Sequence, residues 1–413
     1  MKMVILMSLI TLVLSAHAQE QERLETPGLL PTPVVRPLLD QDSSVAAARA
    51  GLEAARQEAG ILDQSPYEWH AKLSGQRRSV DTGPRYREWN VAVERPIRLP
   101  GKAAADRYIG KATIEEAEAR YGEALHEAAR DLLTLWLDWL GAEQGRALAA
   151  SNLQSAQESL TAVGKRVRAG DASKLDASLA QADLAEQKRL ENDAKTQAAV
   201  AAARLQTRFP EITQQFAALP TPLPLKHELA FWRDRILAES DELKTAQALL
   251  QKSQAHLERA DADKVPDPTV GVYTASEVGG RERISGITIS IPFPGGQRSR
   301  RADKAVHMAE VARQDVEKVK RQLVAEITGN VATAQGAYES SRIAEEGAAA
   351  MQDNARLMQR AYSLGEAELQ ALLLARRQTT TAAQNALAAK IAAAKAYYLL
   401  LIDAHLVWDL EHE

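Results

Sequence analysis

The 413-residue chain predicts an α+β fold made by internal duplication, each half supplying two short amphipathic strands and then a very long helical hairpin. The segment Ile97-Arg98-Leu99-Pro100-Gly101-Lys102 returns about 194 residues later as Ile291-Pro292-Phe293-Pro294-Gly295-Gly296. At almost the same offset, Gly170-Asp171-Ala172-Ser173 followed by Leu179-Ala180-Gln181 returns as Gly365-Glu366-Ala367-Glu368 followed by Leu374-Ala375-Arg376. Self-similarity at one offset means two copies of one unit. Composition agrees: 26% charged but only 5% aromatic residues suit long helices better than a compact aromatic core.

The N-terminus predicts export. Lys2 is a positive n-region, Met3 to Leu14 an apolar core, and Ala16-His17-Ala18 an A-x-A cleavage signal leaving Gln19 first. The alternative is a membrane anchor, but a spanning helix needs about 20 apolar residues. The chain has no cysteine, hence no disulfide framework, thiolate site or lipid-accepting cysteine after the signal. No later stretch reads as a spanning helix, so membrane entry would have to be made by strands.

Four segments suit that role. Tyr67, Trp69, Ala71 and Leu73 alternate with Glu68, His70, Lys72 and Ser74. Trp89, Val91, Val93, Ile97 and Leu99 fall opposite Glu88, Asn90, Glu94 and Arg98. A weaker strand lies around Val270, Val272 and Thr274, and Ile287, Ile289, Ile291 and Phe293 alternate with Gly286, Thr288, Ser290 and Pro292. Each is about 10 residues, the length of a tilted membrane strand with one face to lipid and one to water. Arg77 to Arg85 and Glu277 to Gly280 are polar, glycine-bearing turns closing two hairpins. A small soluble sheet with one solvated face is the plainer alternative; Tyr67, Trp69 and Trp89 as interfacial aromatics and the export signal weigh against it. Four strands cannot close a barrel, and open edges in lipid are costly. Three copies supply twelve strands and close the ring by cyclic symmetry.

The helices are longer than a bilayer needs. No proline interrupts Gly101 to Arg168 or Gly296 to Ser363, runs of about 100 Å each at 1.5 Å per residue. Their regular charges place them in water. Ala312, Val316, Val319, Leu323, Ile327, Val331 and Ala334 step by three or four, a narrow seam for helix packing. An ordinary bundle fits that seam equally well but not the length. Return arms are expected over Ala172 to Phe209, Ser240 to Val265, Glu366 to Leu406 and Asp42 to Leu62, pairs of shorter helices matching each long arm in a hollow cylinder. The expected organisation is a signal peptide at 1–18, a proline-rich segment at 19–41, a first repeat at 42–209, an equatorial insertion at 210–235, a second repeat at 236–408 and a tail at 409–413.

At the corners Pro100-Gly101-Lys102 and Pro294-Gly295-Gly296, and at the tips Ala169-Gly170-Asp171-Ala172-Ser173-Lys174-Leu175-Asp176 and Leu364-Gly365-Glu366-Ala367-Glu368-Leu369, the chain resembles the TolC-type outer-membrane efflux channels over essentially all of its mature length. The resemblance implies a homotrimer, a twelve-stranded membrane β-barrel continuous with a long periplasmic α-helical barrel, and docking on a periplasmic adaptor and an inner-membrane pump. The corner Arg95-Pro96-Ile97-Arg98-Leu99-Pro100-Gly101-Lys102 looks more like the branch serving pumps for cobalt, zinc, cadmium, copper or silver than the multidrug branch. Multidrug efflux and type I protein secretion channels share the fold.

The resemblance implies acidic residues just inside the second tip as the closed mouth, but Ala371 and Leu374 stand at the matching positions. Replacement gate candidates are Glu366, Glu368 and Gln370, with Asp171 and Asp176 on the first hairpin; their alternative role is to offset helix dipoles at N-termini, and both can hold. Gly170, Ser173, Gly365 and Leu369 are the candidate adaptor-docking tips. Trp69, Trp89, Val91, Val93, Ile287, Ile289 and Ile291 are expected to meet outer-membrane lipid. His70 would face the lumen as a solvated side chain. The eight scattered histidines form no ligand-spaced cluster, so neither a metal site nor a cofactor is expected. No nucleophile elbow or phosphate-cradling loop suggests an enzyme. The charge of −4, with no basic stripe, offers nothing to nucleic acid. A periplasmic coiled-coil adaptor, with one hairpin and glycine-rich β-domains, is the remaining class; the duplicated hairpins and strand pairs oppose it.

Overall fold

The computed structural model describes residues 28–79, 81–213, 218–408 and 410. The expected signal peptide at 1–18 lies outside the described residues, as do part of the 19–41 segment, residues 214–217 of the insertion and nearly all of the 409–413 tail. Among the described residues twelve α-helices and β-strands follow in order. They are α1 (Thr32–Asp40), α2 (Ser43–Asp63), β1 (His70–Ser79), β2 (Arg85–Pro96), α3 (Pro100–Ala169), α4 (Lys174–Arg208), α5 (Leu229–Glu239), α6 (Asp241–Ala262), β3 (Thr269–Glu277), β4 (Glu282–Ser290), α7 (Gly296–Leu364) and α8 (Leu369–Asp403). The chain is mostly helical with four antiparallel strands, and the order β-β-α-α occurs twice.

Two compact units divide these elements. The first comprises residues 1–46, 124–240 and 323–413, and the second residues 47–123 and 241–322. The second unit holds the sheet, in the order β1-β2-β3-β4, every pair antiparallel. The strands differ from expectation at their ends. β1 begins at His70 and runs on through Arg77, Arg78 and Ser79, which were expected in the turn. β2 stops at Pro96, and β4 at Ser290 just before Ile291-Pro292-Phe293-Pro294. The cause is shared: the ladder is made by backbone groups, so polar arginines can carry it, whereas prolines lack the donor.

In the first unit the core is a set of helix stripes. Ala129, Leu133, Leu137 and Leu140 of α3 are buried, and so are the residues 194 positions on, Leu323, Ile327, Val331 and Ala334 of α7. The apolar period thus makes the same seam in both repeats. α3 buries a second stripe, with Leu125, Leu132, Trp136 and Trp139 all at most 4% exposed. Trp136 and Trp139 meet in a tilted pair, 4.9 Å between ring centroids and 45° between planes, and Trp136 Nε1 donates to the carbonyl of Gly28 at 3.0 Å. Trp408 Nε1 donates to the Leu30 carbonyl at 2.8 Å, and Tyr398 Oη to that of Thr221 at 3.4 Å.

One expectation is refined and another corrected here. The proline-rich segment contains α1, because a proline in the first helical turn forfeits only a donor that has no partner there; Val35, Leu38 and Leu39 bury its apolar side although Pro37 lies inside. Second, α8 is long and apolar enough to cross a membrane. Its apolarity belongs to a packed helix: Ala393, Ala394, Tyr398, Leu401 and Ile402 are buried, while Lys395 pairs with Asp138 at 2.6 Å and Lys390 with Glu345 at 3.7 Å.

Candidate functional site: a two-faced wall, its corner and the hairpin tips

The sheet register sorts its side chains onto two faces. Ala71, Val93, Val272 and Ile287 form one row across the four strands, Leu73, Val91, Thr274 and Ser285 the next, and Val270 stands beside Ile289. This face is apolar and open: Leu73 is 76%, Ile287 73%, Ile289 67% and Trp69 66% exposed. Trp89 and Val93 are exposed on it too, and Val91 is half-buried. Ile291, though exposed, lies beyond the end of β4. The other face is polar. His70 stands opposite Glu94, Lys72 pairs with Glu94, and Gln76 Nε2 donates to Glu88 at 2.8 Å. Arg78 reaches Glu88 and Glu277, each at 3.2 Å.

At the first strand-to-helix corner the residues of the Arg95–Lys102 segment enter an ionic cluster. Pro100 opens α3. Lys102, only 2% exposed, places Nζ 3.0 Å from Asp267 and 3.2 Å from Asp263. Arg98 Nη1 donates to Asp106 at 3.0 Å and to the Leu62 carbonyl at 2.7 Å, and Arg259 Nε donates to Asp106 at 2.6 Å. Tyr67 Oη donates to Asp267, and burial together with this bond to a carboxylate pushes the phenol up to about 12. Burial alone would raise Asp267 and Asp263; hydrogen bonds from Tyr67 and Lys102 to the first, and from Arg259 and Lys102 to the second, outweigh it and hold both below the usual carboxylate range. The duplicated corner at Gly295-Gly296 lacks these residues; nearby, Arg298 Nη1 donates to the Asp263 carbonyl at 2.5 Å.

The two tips share one backbone turn. Gly170 and Gly365 have φ of +85° and +80°. Each following amide reaches back to close the helix, Asp171 N to Arg166 O and Glu366 N to Ala361 O, both at 2.9 Å. A Cβ at either glycine would meet nothing within 4 Å, so the left-handed φ is the whole demand for glycine. Side chains then differ. Ser173 and Asp176 form a capping box, Ser173 Oγ accepting from the Asp176 amide at 3.0 Å while Asp176 Oδ2 accepts from the Ser173 amide at 2.9 Å. Glu368 stands at the N-cap of α8 without a side-chain bond.

Among the gate candidates, Asp171, Glu366, Glu368 and Gln370 are exposed and Asp176 is occupied by its cap. Gly170, Ser173 and Gly365 are exposed as docking candidates require. Leu369 is not: at 2% exposure it packs with Val163, Ala180 and Leu372. Its place as an exposed apolar contact falls to Leu175 and Leu364, 67% and 64% exposed, which the sequence pattern missed because apolar side chains at a turn look like core. Also missed was Arg376, one turn beyond Leu372. Its Nη2 donates to Gln359 at 2.6 Å while Nη1 is buried without a partner, and burial pulls the guanidinium below the usual arginine value.

A two-faced sheet with open edges, joined to helices some 70 residues long, defines the protomer of a membrane channel with a helical extension. The chain belongs to the outer membrane efflux protein family, whose profile matches residues 34–208 and 232–400. It is therefore an outer-membrane channel reaching into the periplasm, and not an enzyme. The fold is similar to the CmeC outer membrane channel of Campylobacter jejuni (TM-score 0.74, 15% identity, covering 92% of this chain and 86% of that one). It is similar to CusC, whose structures are described as following folding and transmembrane channel formation (TM-score 0.74, 17% identity, 94% and 97%). It also resembles the outer membrane protein VceC of Vibrio cholerae (TM-score 0.70, 16% identity, 90% and 94%). No curated protein sequence matches the chain.

Proposed function

We propose that this chain is one third of a passive exit duct: three copies close a twelve-stranded barrel in the outer membrane, and the hairpin tips dock on a periplasmic adaptor fed by an inner-membrane pump. The sheet edge carries the reading. β1 and β4 each pair on one side only, and the face between them is apolar, so in lipid their outer backbone groups need another copy. Cross-linking the mature protein in mild detergent is expected to give a ladder ending at three. A stable folded monomer in detergent would overturn the assembly.

Within this function, export of heavy-metal cations is the reading favoured by the Arg95–Lys102 corner. A strain lacking the gene is expected to lose tolerance to cobalt, zinc, cadmium, copper or silver. Unchanged metal tolerance, with loss of drug tolerance or of a secreted protein, would assign the duct to multidrug efflux or type I secretion. A soluble chain extracted without detergent would point to an adaptor instead.

A further inference from the structure

The apolar face of the sheet ends in arginines on its hairpin side. Residues two apart share a face, so Trp89 is followed toward the turn by Arg87 and Arg85, and Gly75 by Arg77. The register sets Arg77 directly opposite Arg87, and Arg283 of β4 lies in the row of Trp89 through Ser276. All four are exposed, and none has a carboxylate partner among the described residues. On the polar face at the same level the pattern reverses, Arg78 being held by both Glu88 and Glu277.

Like charges directly opposite each other weaken a strand pair, so an Arg77–Arg87 pair left without acids points to an anion from outside the chain. Position says which. Arg87 stands eight residues before Arg95, which marks the other end of the same face and rests its guanidinium 5.6 Å from the Trp69 ring centre. Eight residues span about 26 Å of strand, or roughly 20 Å of height at a 40° tilt, close to the apolar band of a membrane barrel. The hairpin-side arginines therefore stand at headgroup depth, where guanidinium forks match phosphate oxygens two at a time.

We propose that Arg77, Arg85, Arg87 and Arg283 dock the phosphates of the outer leaflet's glycolipid, lipid A, around the barrel. This rests on the lipid-facing reading of the apolar face with the helices on the periplasmic side. The test uses purified full-length trimer exchanged into mild detergent, incubated with diphosphoryl lipid A and read by native mass spectrometry. Wild type is expected to retain lipid A. The quadruple Gln variant of the four arginines should retain about ten-fold less or lower, and Lys72→Gln on the polar face should retain as much as wild type. Monophosphoryl lipid A and phosphatidylglycerol should bind more weakly than the diphosphoryl form, and millimolar inorganic phosphate should not displace it. Equal retention by wild type and the quadruple variant overturns the site. Phosphatidylglycerol binding as well as lipid A reduces it to a generic anionic surface, and displacement by phosphate to a free-anion site; either overturns the assignment. A detergent-dependent trimer that ignores lipid A rejects this proposal alone, whereas a water-soluble chain rejects the lipid-facing wall and the proposal with it.

Discussion

The two repeats began as one unit and now do different work, as their long helices show. At matched positions both bury a seam, Leu133 and Leu137 in α3 and Ile327 and Val331 in α7. The first adds Leu132 and Trp136 on a second buried stripe, where the second repeat has exposed Glu326 and half-buried Asn330. Gly28, ahead of α1, meets the first repeat's second stripe by accepting from Trp136. The corners diverge likewise: the first carries three aspartates around Lys102, Arg98 and Arg259, and the second carries two glycines. Among the described residues the first long helix is therefore covered on two stripes and the second on one.

The largest expected effect tests that asymmetry. Trp136→Ala should cost about 3–5 kcal/mol, as large buried aromatics do, while Glu326→Ala should stay within about 0.5 kcal/mol. Denaturant unfolding of the detergent-solubilised protein measures both, and similar losses would erase the distinction between the repeats. Next comes the wall, where the repeats should agree. Val91→Arg and Ile289→Arg should each cost about 2–4 kcal/mol near the bilayer midplane, seen as loss of heat-resistant trimer, with Asn90→Arg and Ser290→Arg mild. Equal damage from both pairs would mean the faces are misassigned.

The tips separate backbone from side chain. Gly170→Val and Gly365→Val should each cost about 1–3 kcal/mol, because both force a β-branched residue to positive φ, and the double variant should lose efflux with trimers intact. Ser173→Ala should loosen its tip by about 1 kcal/mol; Glu368→Gln should not, having no cap bond to lose. Hydrogen exchange at the two tips reads this difference. If Glu366 and Glu368 form the mouth, the double Gln variant should instead lower cation selectivity in planar bilayers. Unchanged reversal potentials would leave the mouth to Asp171, Asp176 or Arg376.

The smallest effect is a pH dependence confined to one corner. Asp263 and Asp267 are held below their ordinary values, so their contribution is present above about pH 4 and lost as pH falls through their lowered range. Tyr67, raised to about 12, contributes below its ordinary value near 10 and loses that contribution as pH rises through 12. Amide exchange at residues 97–106 should therefore quicken at both extremes relative to residues 291–300. Parallel behaviour at the two corners would break this contrast.

Much of this was legible because it depends on local periods. Alternation over Trp89 to Val93 and Ile287 to Ile289 marked the open face, three-and-four spacing marked Leu323 to Ala334, and glycine at 170 and 365 marked two turns with positive φ. Strand ends were less legible, since backbone ladders run through Arg77 and Arg78 without regard to polarity. α1 was hidden by its prolines, and Leu369 is buried while Leu175 is exposed because a turn's inner and outer sides carry the same residue types.

By itself, the sequence determined the duplication, the element order and which side chains share a face, all set by spacing along the chain. Only the tertiary structure decided which of two equal helices gained a second buried stripe, that Lys102 meets Asp263 and Asp267 from more than 160 residues away, and that Arg78 finds acids while Arg77 and Arg87 face each other without one. Those outcomes depend on groups distant in sequence arriving at one place, and a local period carries no information about what it will meet.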